Sequence, residues 1–449
     1  MMNHQYLFVS NTDLQTERQQ LRDEGKDARR LEAEFKRLAR LDLTPGSKHQ
    51  RAAENLLDRS LNLPTVPGFP YSEPSDLAGI RRARPKGPRE LRLRLKETEL
   101  FDRVHGAWLG RCAGCLLGKP YEGWRTPRLW GFLKDTGQFP LNRYFSARVS
   151  PQVQKRYRID PNSPCSVERI QYMPEDDDTN YTVTGFAILK QHGRGFTPED
   201  VATVWMYNLP ILHTYTAERV AYRNLANLIP PPHSAAFRNP YREWIGAQIR
   251  ADFFGYAALG RPELAAEFAW RDACISHVKN GIYGAIWVAA MLAAAPTTED
   301  MAEIIRIGLS EIPLRSRLAE AIRDVLKWRE EGAAYDEAVA RLHRRWDENS
   351  AHHWCHTVSN AQIVALGLLW GEGDFEKAIC RAVQPGFDTD CNGATVGSIM
   401  GMTLGAKALP RKWTAPLHGK LRTGFAGYEL VRIVALAREG FELYMTIRA

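Results

Sequence analysis

Two short stretches of the 449-residue chain concentrate carboxylates. MPEDDDTNYTVTGF (residues 173–186) sets Asp176, Asp177 and Asp178 side by side, and QPGFDTDCNGAT (384–395) sets Asp388 and Asp390 around a threonine. Two carboxylates about 4 Å apart repel by roughly 4 kcal/mol at an effective dielectric near 20, so acids that are not fully solvated need cations. Each stretch runs into residues that read as the opening of a buried helix. An acid there has an ordinary use, because it caps free N–H groups and complements the helix dipole. Capping accounts for one or two acids at each place and poorly for three in a row. If the two helix starts converge, five carboxylates share a pocket, and two divalent cations would cancel four of the charges. Oxygen donors favour Mg2+ or Mn2+ over zinc. His352 and His356 are four apart and could meet on one helix face, though surface or capping histidines are the simpler reading. Cys112 and Cys115 form a CxxC with no second pair at zinc-like spacing, which points to packing within a helix.

The elements around those acids include two stretches with regularly spaced glycines. In HGAWLGRCAGCLLGKP they fall at 106, 110, 114 and 118; in NGATVGSIMGMTLGAK they fall at 393, 397, 401 and 405. A glycine costs about 1 kcal/mol in a helix interior relative to alanine, and residues four apart share a face, so each set implies close backbone approach. Glycine stripes also occur in membrane helices, but Lys119 and Lys407 bound stretches too short to span. Two tightly packed central helices are therefore expected. The remaining apolar runs, such as IYGAIWVAAMLAAA (282–295), MAEIIRIGLSEI (301–312) and NAQIVALGLLWG (360–371), keep helical periodicity, and no series of alternating strands appears; the fold class is all-α.

A boundary is expected near residue 97. Residues 14–41 carry apolar side chains at Leu14, Leu21, Ala28, Leu31, Phe35 and Leu38, which predicts one amphipathic helix; Glu17 and Glu24 fall where apolar residues are wanted, so docking on the main body is favoured over a free coiled coil. Six prolines between 62 and 90 predict an extended arm. Residues 1–97 hold 19 Lys+Arg against 14 Asp+Glu, so +5 of the net +8 lies there, most of it in RRARPKGPRELRLRLK (81–96). With no nucleic-acid motif beside it, this reads as a solvated basic linker, and no specific nucleic-acid partner is expected. MMNHQYLFVSNTD holds only YLFV before polar residues resume, no run approaches the roughly 20 residues of a membrane span, and seven cysteines sit mostly in helical patterns. A cytoplasmic protein with reduced thiols is expected.

HGAWLGRCAGCLLGKPYEGW, PEDDDTNYTVTG, ISHVKNGIYGA and PGFDTDCNGATVGSIMG, in this order, resemble the ADP-ribosylglycohydrolase family over roughly residues 98–440. The resemblance implies a compact orthogonal bundle of helices with a binuclear Mg2+ centre (Mn2+ also possible), and hydrolysis of N- or O-glycosidic bonds at the ribose of ADP-ribosylated proteins or related small molecules. It puts metal ligands on Asp176, Asp177, Asp178, Asp388, Asp390 and Cys391, and a catalytic carboxylate on Glu122 or Asp178. Substrate contacts fall on His277, Asn280, Gly246, Arg250, Gly386 and Phe387, with Trp124 a candidate for stacking or for the core. The chain departs from the family pattern in four places: Asp176 and Cys391 replace threonines, Arg111 stands where many members carry Asp, and IGAQIRAD (245–252) keeps only Gly246 and Arg250 of a glycine-rich segment that helps to hold ADP-ribose. A hydrolase of a smaller ribosyl or other glycosyl conjugate, and a protein that binds nucleotide sugars without cleaving them, are the alternatives. The N-terminal helix is expected to serve assembly, as in a homo-oligomer, or substrate access, with the chemistry in residues 98–449.

Overall fold

The computed structural model describes residues 3–448. Its centre is a seam between two helices, α5 (Glu97–Gly118) and a second glycine helix, Thr389–Leu404. They run antiparallel with glycine facing glycine: 106 against 401, 110 against 397, 114 against 393, while Gly118 meets the backbone of Thr389. A Cβ added at any of these glycines would overlap a backbone oxygen of the other helix. The helices therefore touch backbone to backbone over four turns, closer than the usual 8–10 Å between helix axes. At one end of the seam, Thr389 Oγ1 donates to Gly118 O at 2.9 Å, which fixes how Asp388 and Asp390 stand relative to Lys119 and Glu122.

Helices surround this pair, and the periodic runs of the sequence appear as Lys279–Ala294, Met301–Leu309 and Thr357–Gly371. Among the described residues the only strands are a hairpin, Lys420–Arg422 with Leu430–Arg432. It supports the first acidic stretch. Met173 exchanges backbone bonds with Lys420 and Arg422 (2.9 and 3.0 Å), and Gly424 N–H donates to Asn180 Oδ1 at 2.8 Å. No helix of the described residues is long and apolar enough to cross a membrane.

The N-terminal region differs from the single helix expected over 14–41. α1 (Asn11–Asp23) starts at a Ser10–Asp13 capping box and stops; Gly25 turns the chain at φ +66°; and α2 (Glu32–Leu38) and α3 (Gln50–Leu61) follow. A Cβ at Gly25 would strike the Phe69 ring, so the break is built by a left-handed turn and a close contact together. Leu14, Leu21, Leu31, Phe35, Leu38, Leu56 and Leu57 bury against one another in a small core of their own, each burial contributing roughly 1.5–3 kcal/mol. No large apolar side chain is exposed between residues 3 and 138, so α1 offers no apolar stripe to a second copy.

What α1 turns toward the body is charged. Arg242 is held between Glu17 (2.5 Å) and Glu24 (2.7 Å), Lys279 reaches Glu24 at 3.0 Å, and Gln20 donates to Glu243 at 2.8 Å, all of these groups being buried or nearly so. The arm that follows is not simply extended. It contains α4 (Leu77–Ala83), and its basic residues are partly committed: Arg84 to Glu263 and Glu311, Arg89 to Glu311, and Arg81 to Glu267.

Candidate active site

Both acidic stretches line one cavity of about 980 Å3, a volume suited to a small-molecule ligand. Its carboxylate lining comes from the turn after α5 (Glu122), from the stretch before the helix Asp177–His192 (Glu175, Asp176, Asp177), from the start of the second glycine helix (Asp388, Asp390), and from Glu218. Residues of the N-terminal segment, among them Tyr6, Phe8, Ser10 and Thr12, form part of the wall. Sequence reasoning missed that wall. The apolar YLFV before α1 was its only signal.

Protein cations answer part of the charge. Asp176 caps its helix, Oδ1 accepting from Asp178 N–H at 3.0 Å, while Oδ2 meets Lys119 Nζ at 2.6 Å. Although burial opposes the charge, Lys119 and these hydrogen bonds hold the Asp176 carboxyl below its ordinary range. The acid that replaces threonine thus brings its own counter-ion, and the site is not made more negative by it. Arg111, buried, ties together Asp178 (3.2 Å to Oδ1, 2.8 Å to the backbone oxygen), Asp252 (3.0 Å) and Ile249 O. The other oxygen of Asp178 accepts the Cys391 thiol at 3.2 Å. Asp178 is buried, enclosed on both sides and absent from the cavity lining.

Among the described residues, four cavity acids have no ion pair: Glu122, Asp177, Asp388 and Asp390. Burial, then the neighbouring Asp176 and Asp390, push Asp177 well above the carboxylate range; burial and Asp390 do the same to Asp388; burial and Asp176 bring Asp390 to about 6. Glu122 is exposed on the wall, yet the charge of Asp390, with desolvation and Asp176 behind it, raises it to about 9. Asp390 Oδ1 is buried with no hydrogen-bond partner. Such an atom is costly unless something positive reaches it, and the grouping of Asp388, Asp390 and Cys391 within 4.8 Å fits a divalent cation. Cys391 itself is a buried thiol whose pKa is pushed up, a neutral donor to Asp178 more than a ligand.

The expected substrate contacts separate. Gly246 lines the cavity. Arg250 does not: it is buried and saturated by Asp272 (2.5 Å), Glu218 (2.8 Å) and Ser276 (2.7 Å). His277 is buried behind it, bonded to Ser276 at 2.8 Å. Asn280 bonds Glu73, Glu243 and the start of the helix Arg317–Glu330. Gly386 and Phe387 form a left-handed turn (φ +82° and +60°) that aims Asp388, the phenyl ring packing with Leu342 and Ile363. Trp124 packs on Tyr121 and Phe132 under the Arg128 guanidinium. These side chains support the site from outside the cavity.

The histidine pair, which with Asp23 groups its ring nitrogens within 4.8 Å, is engaged by protein hydrogen bonds. His352 Nδ1 accepts from Trp244 Nε1–H (3.1 Å) and His356 Nδ1 accepts from Val358 N–H (3.1 Å). Each neutral ring then carries its proton on Nε2, where it faces Asp23 at 2.8 Å and Glu243 at 3.7 Å. A protonated Nε2 donates and does not ligate.

Fold and cavity together define a mostly helical protein with an acid-lined pocket where the end of α5, the start of the second glycine helix and the start of the helix Asp177–His192 meet. The chain belongs to the ADP-ribosylglycohydrolase family, a family of hydrolases, whose sequence model matches residues 96–445. Among solved structures it is similar to an ADP-ribosylglycohydrolase-related protein complex, with 20% identity and a TM-score of 0.44 over 78% of this chain and 99% of that one. No relative with a curated description matches it.

Proposed function

We propose that this protein is a divalent-metal-dependent glycoside hydrolase that cleaves an N- or O-glycosidic bond to ribose. The observation carrying this reading is the meeting of Glu122, Asp177, Asp388 and Asp390 on one cavity without an ion pair, one of them keeping a buried oxygen without a partner. Asp388 and Asp390 are buried, Asp177 is partly so, and Glu122 shares their cavity, so the group calls for added positive charge. Asp177, Asp388 and Asp390 are suited to hold two Mg2+ or Mn2+ ions, with Asp176 and Asp178 beside them already paired to Lys119 and Arg111. Ions bound there would supply Lewis-acid polarisation of sugar hydroxyls and of water. The chain's own contribution is electrostatic and acid–base. The surrounding carboxylates favour the positive charge that develops on the ribose as the bond at C1 lengthens, and Glu122, exposed on the wall, is placed to take a proton from water.

The test is sugar release from a panel of ribosyl N- and O-glycosides, with and without Mg2+ or Mn2+. Glu122→Gln is expected to lower kcat by roughly 10^2- to 10^4-fold while metal still binds. A wild-type protein that binds ribosyl compounds and releases no sugar from any of them would be a binding protein instead.

A further inference from the structure

The electrostatics of the cavity restrict what the ribose can carry. Seven lining side chains are carboxylates, and the one lysine or arginine among the lining residues, Lys119, is engaged by Asp176 at 2.6 Å. His213 is engaged by Glu175. Arg250, four residues beyond the lining Gly246, has every nitrogen bonded to protein, so it cannot turn to an anion. A helix N-terminus could substitute for a cation. The start of the helix Thr216–Ala226 does reach the cavity, but its first turn already holds an anion: the Glu218 carboxylate sits there, paired to Arg250. The start of the helix Asp177–His192 is capped by Asp176 in the same way. Among the described residues no lysine, arginine or histidine of the wall is left free to pair with a diphosphate, and the start of the second glycine helix, which has no side-chain cap, carries Asp388 and Asp390 against an anion.

Part of the lining is aromatic. Tyr6 of the N-terminal segment stands edge-on to Tyr241 at 5.1 Å, and Tyr241 edge-on to Trp244 at 4.7 Å; Tyr215 is half exposed nearby. Tyr241 is locked by Asp13 of α1, so this wall is assembled from both parts of the chain. Flat rings with polar edges suit a planar group, and the neighbouring carboxylates suit one that is neutral or cationic.

We infer that the substrate is an unphosphorylated ribosyl conjugate with a planar, neutral or cationic aglycone, held between the acids and the Tyr6–Tyr241–Trp244 wall. This rests on the glycosidase reading above. In the reaction water adds its oxygen to C1, the bond from C1 to the aglycone breaks with its electron pair leaving on the aglycone, and the proton taken from water ends on the leaving atom of a neutral aglycone or passes to solvent where a cationic aglycone leaves as a neutral base. Ribose and the free aglycone are the products.

The inference is tested with sets that share a scissile bond and differ at the 5′ position of the ribose: ribosyl-nicotinamide against its 5′-monophosphate and NAD, and ribosyl-arginine against ADP-ribosyl-arginine, in both anomers, with Mg2+-loaded full-length protein. In parallel, calorimetry compares adenosine with ADP-ribose as ligands. The expected result is at least a tenfold higher kcat/KM for the phosphate-free member of a set, tighter binding of adenosine, and a raised KM for ribosyl-nicotinamide in Tyr6→Ala with kcat little changed. Equal or better use of the ADP-ribosyl member, or tighter binding of ADP-ribose, overturns the inference and leaves the hydrolase reading standing. Absence of turnover on all members with adenosine still preferred in calorimetry would overturn the hydrolase reading and uphold the phosphate discrimination.

Discussion

The seam between the glycine helices and the interface between α1 and the body are both buried and both join distant parts of the chain, yet they are made of opposite materials. At the seam, backbone meets backbone, and each glycine is matched to a partner across the contact. At the α1 interface, side-chain charges are buried, and Arg242 is satisfied only because Glu17 and Glu24 both reach it. The first kind of contact fails when anything is added. The second fails when anything is taken away.

The largest expected effect is therefore at the seam. Gly114→Leu would drive a side chain into the Gly393 carbonyl, with backbone on both sides and no rotamer able to avoid it. The loss should exceed the roughly 1–3 kcal/mol of ordinary overpacking and show as failure to accumulate folded protein or as a large drop in urea midpoint. A melting curve like that of the wild type would mean that the two helices can separate without cost.

At the α1 interface, Arg242→Met should cost about 3–5 kcal/mol, the price of leaving buried charges unpaired. Replacing Glu17 and Glu24 by leucine in the same chain should recover much of that loss, because burying an apolar cluster there carries no desolvation penalty. Denaturant titration of the single and triple variants measures the difference. A triple variant no more stable than Arg242→Met would place the stability of this contact elsewhere than in charge pairing.

How much of this was legible follows from the same contrast. Eight glycines at a spacing of four declared both the contact and its geometry, since nothing but close approach repays them. Glu17 and Glu24 declared only that α1 docks: a carboxylate names no partner, and Arg242 lies 225 and 218 residues away from them. The break at Gly25 was hidden because the apolar spacing continues across it. Both acid clusters were legible as a site, but Lys119 reads as an ordinary basic residue after a helix, so its neutralisation of Asp176 could not be anticipated. His277, Asn280, Arg250 and Phe387 were taken from family positions. Position carries over between relatives, whereas the environment does not, and here Glu73, Glu218 and Glu243 turn three of those four residues into parts of the scaffold.

A smaller effect separates the site from both contacts. In metal-free protein, Glu122 is raised from 4.5 to about 9 and Asp390 from 3.8 to about 6. A raised carboxyl favours the folded state while protonated, so its stabilisation is complete below the unfolded pKa and is lost as pH rises through the folded one. The metal-free melting temperature should therefore fall between about pH 4 and pH 9, with Mg2+ restoring more of it at each step upward. A flat profile, or one in which Mg2+ stabilises best at acid pH, would contradict the assignment of these carboxyls as uncompensated.

The central claim is that the acids left unpaired at the end of the seam exist to hold divalent cations. Isothermal titration of metal-free protein with Mg2+ at neutral pH tests it most directly. Two ions per chain are predicted for the wild type, with protons released on binding, and at least one ion lost in Asp390→Asn, which removes the charge beside the buried unpartnered oxygen. Identical Mg2+ isotherms for the two proteins, or no heat from either with Mg2+ or Mn2+, would contradict the account.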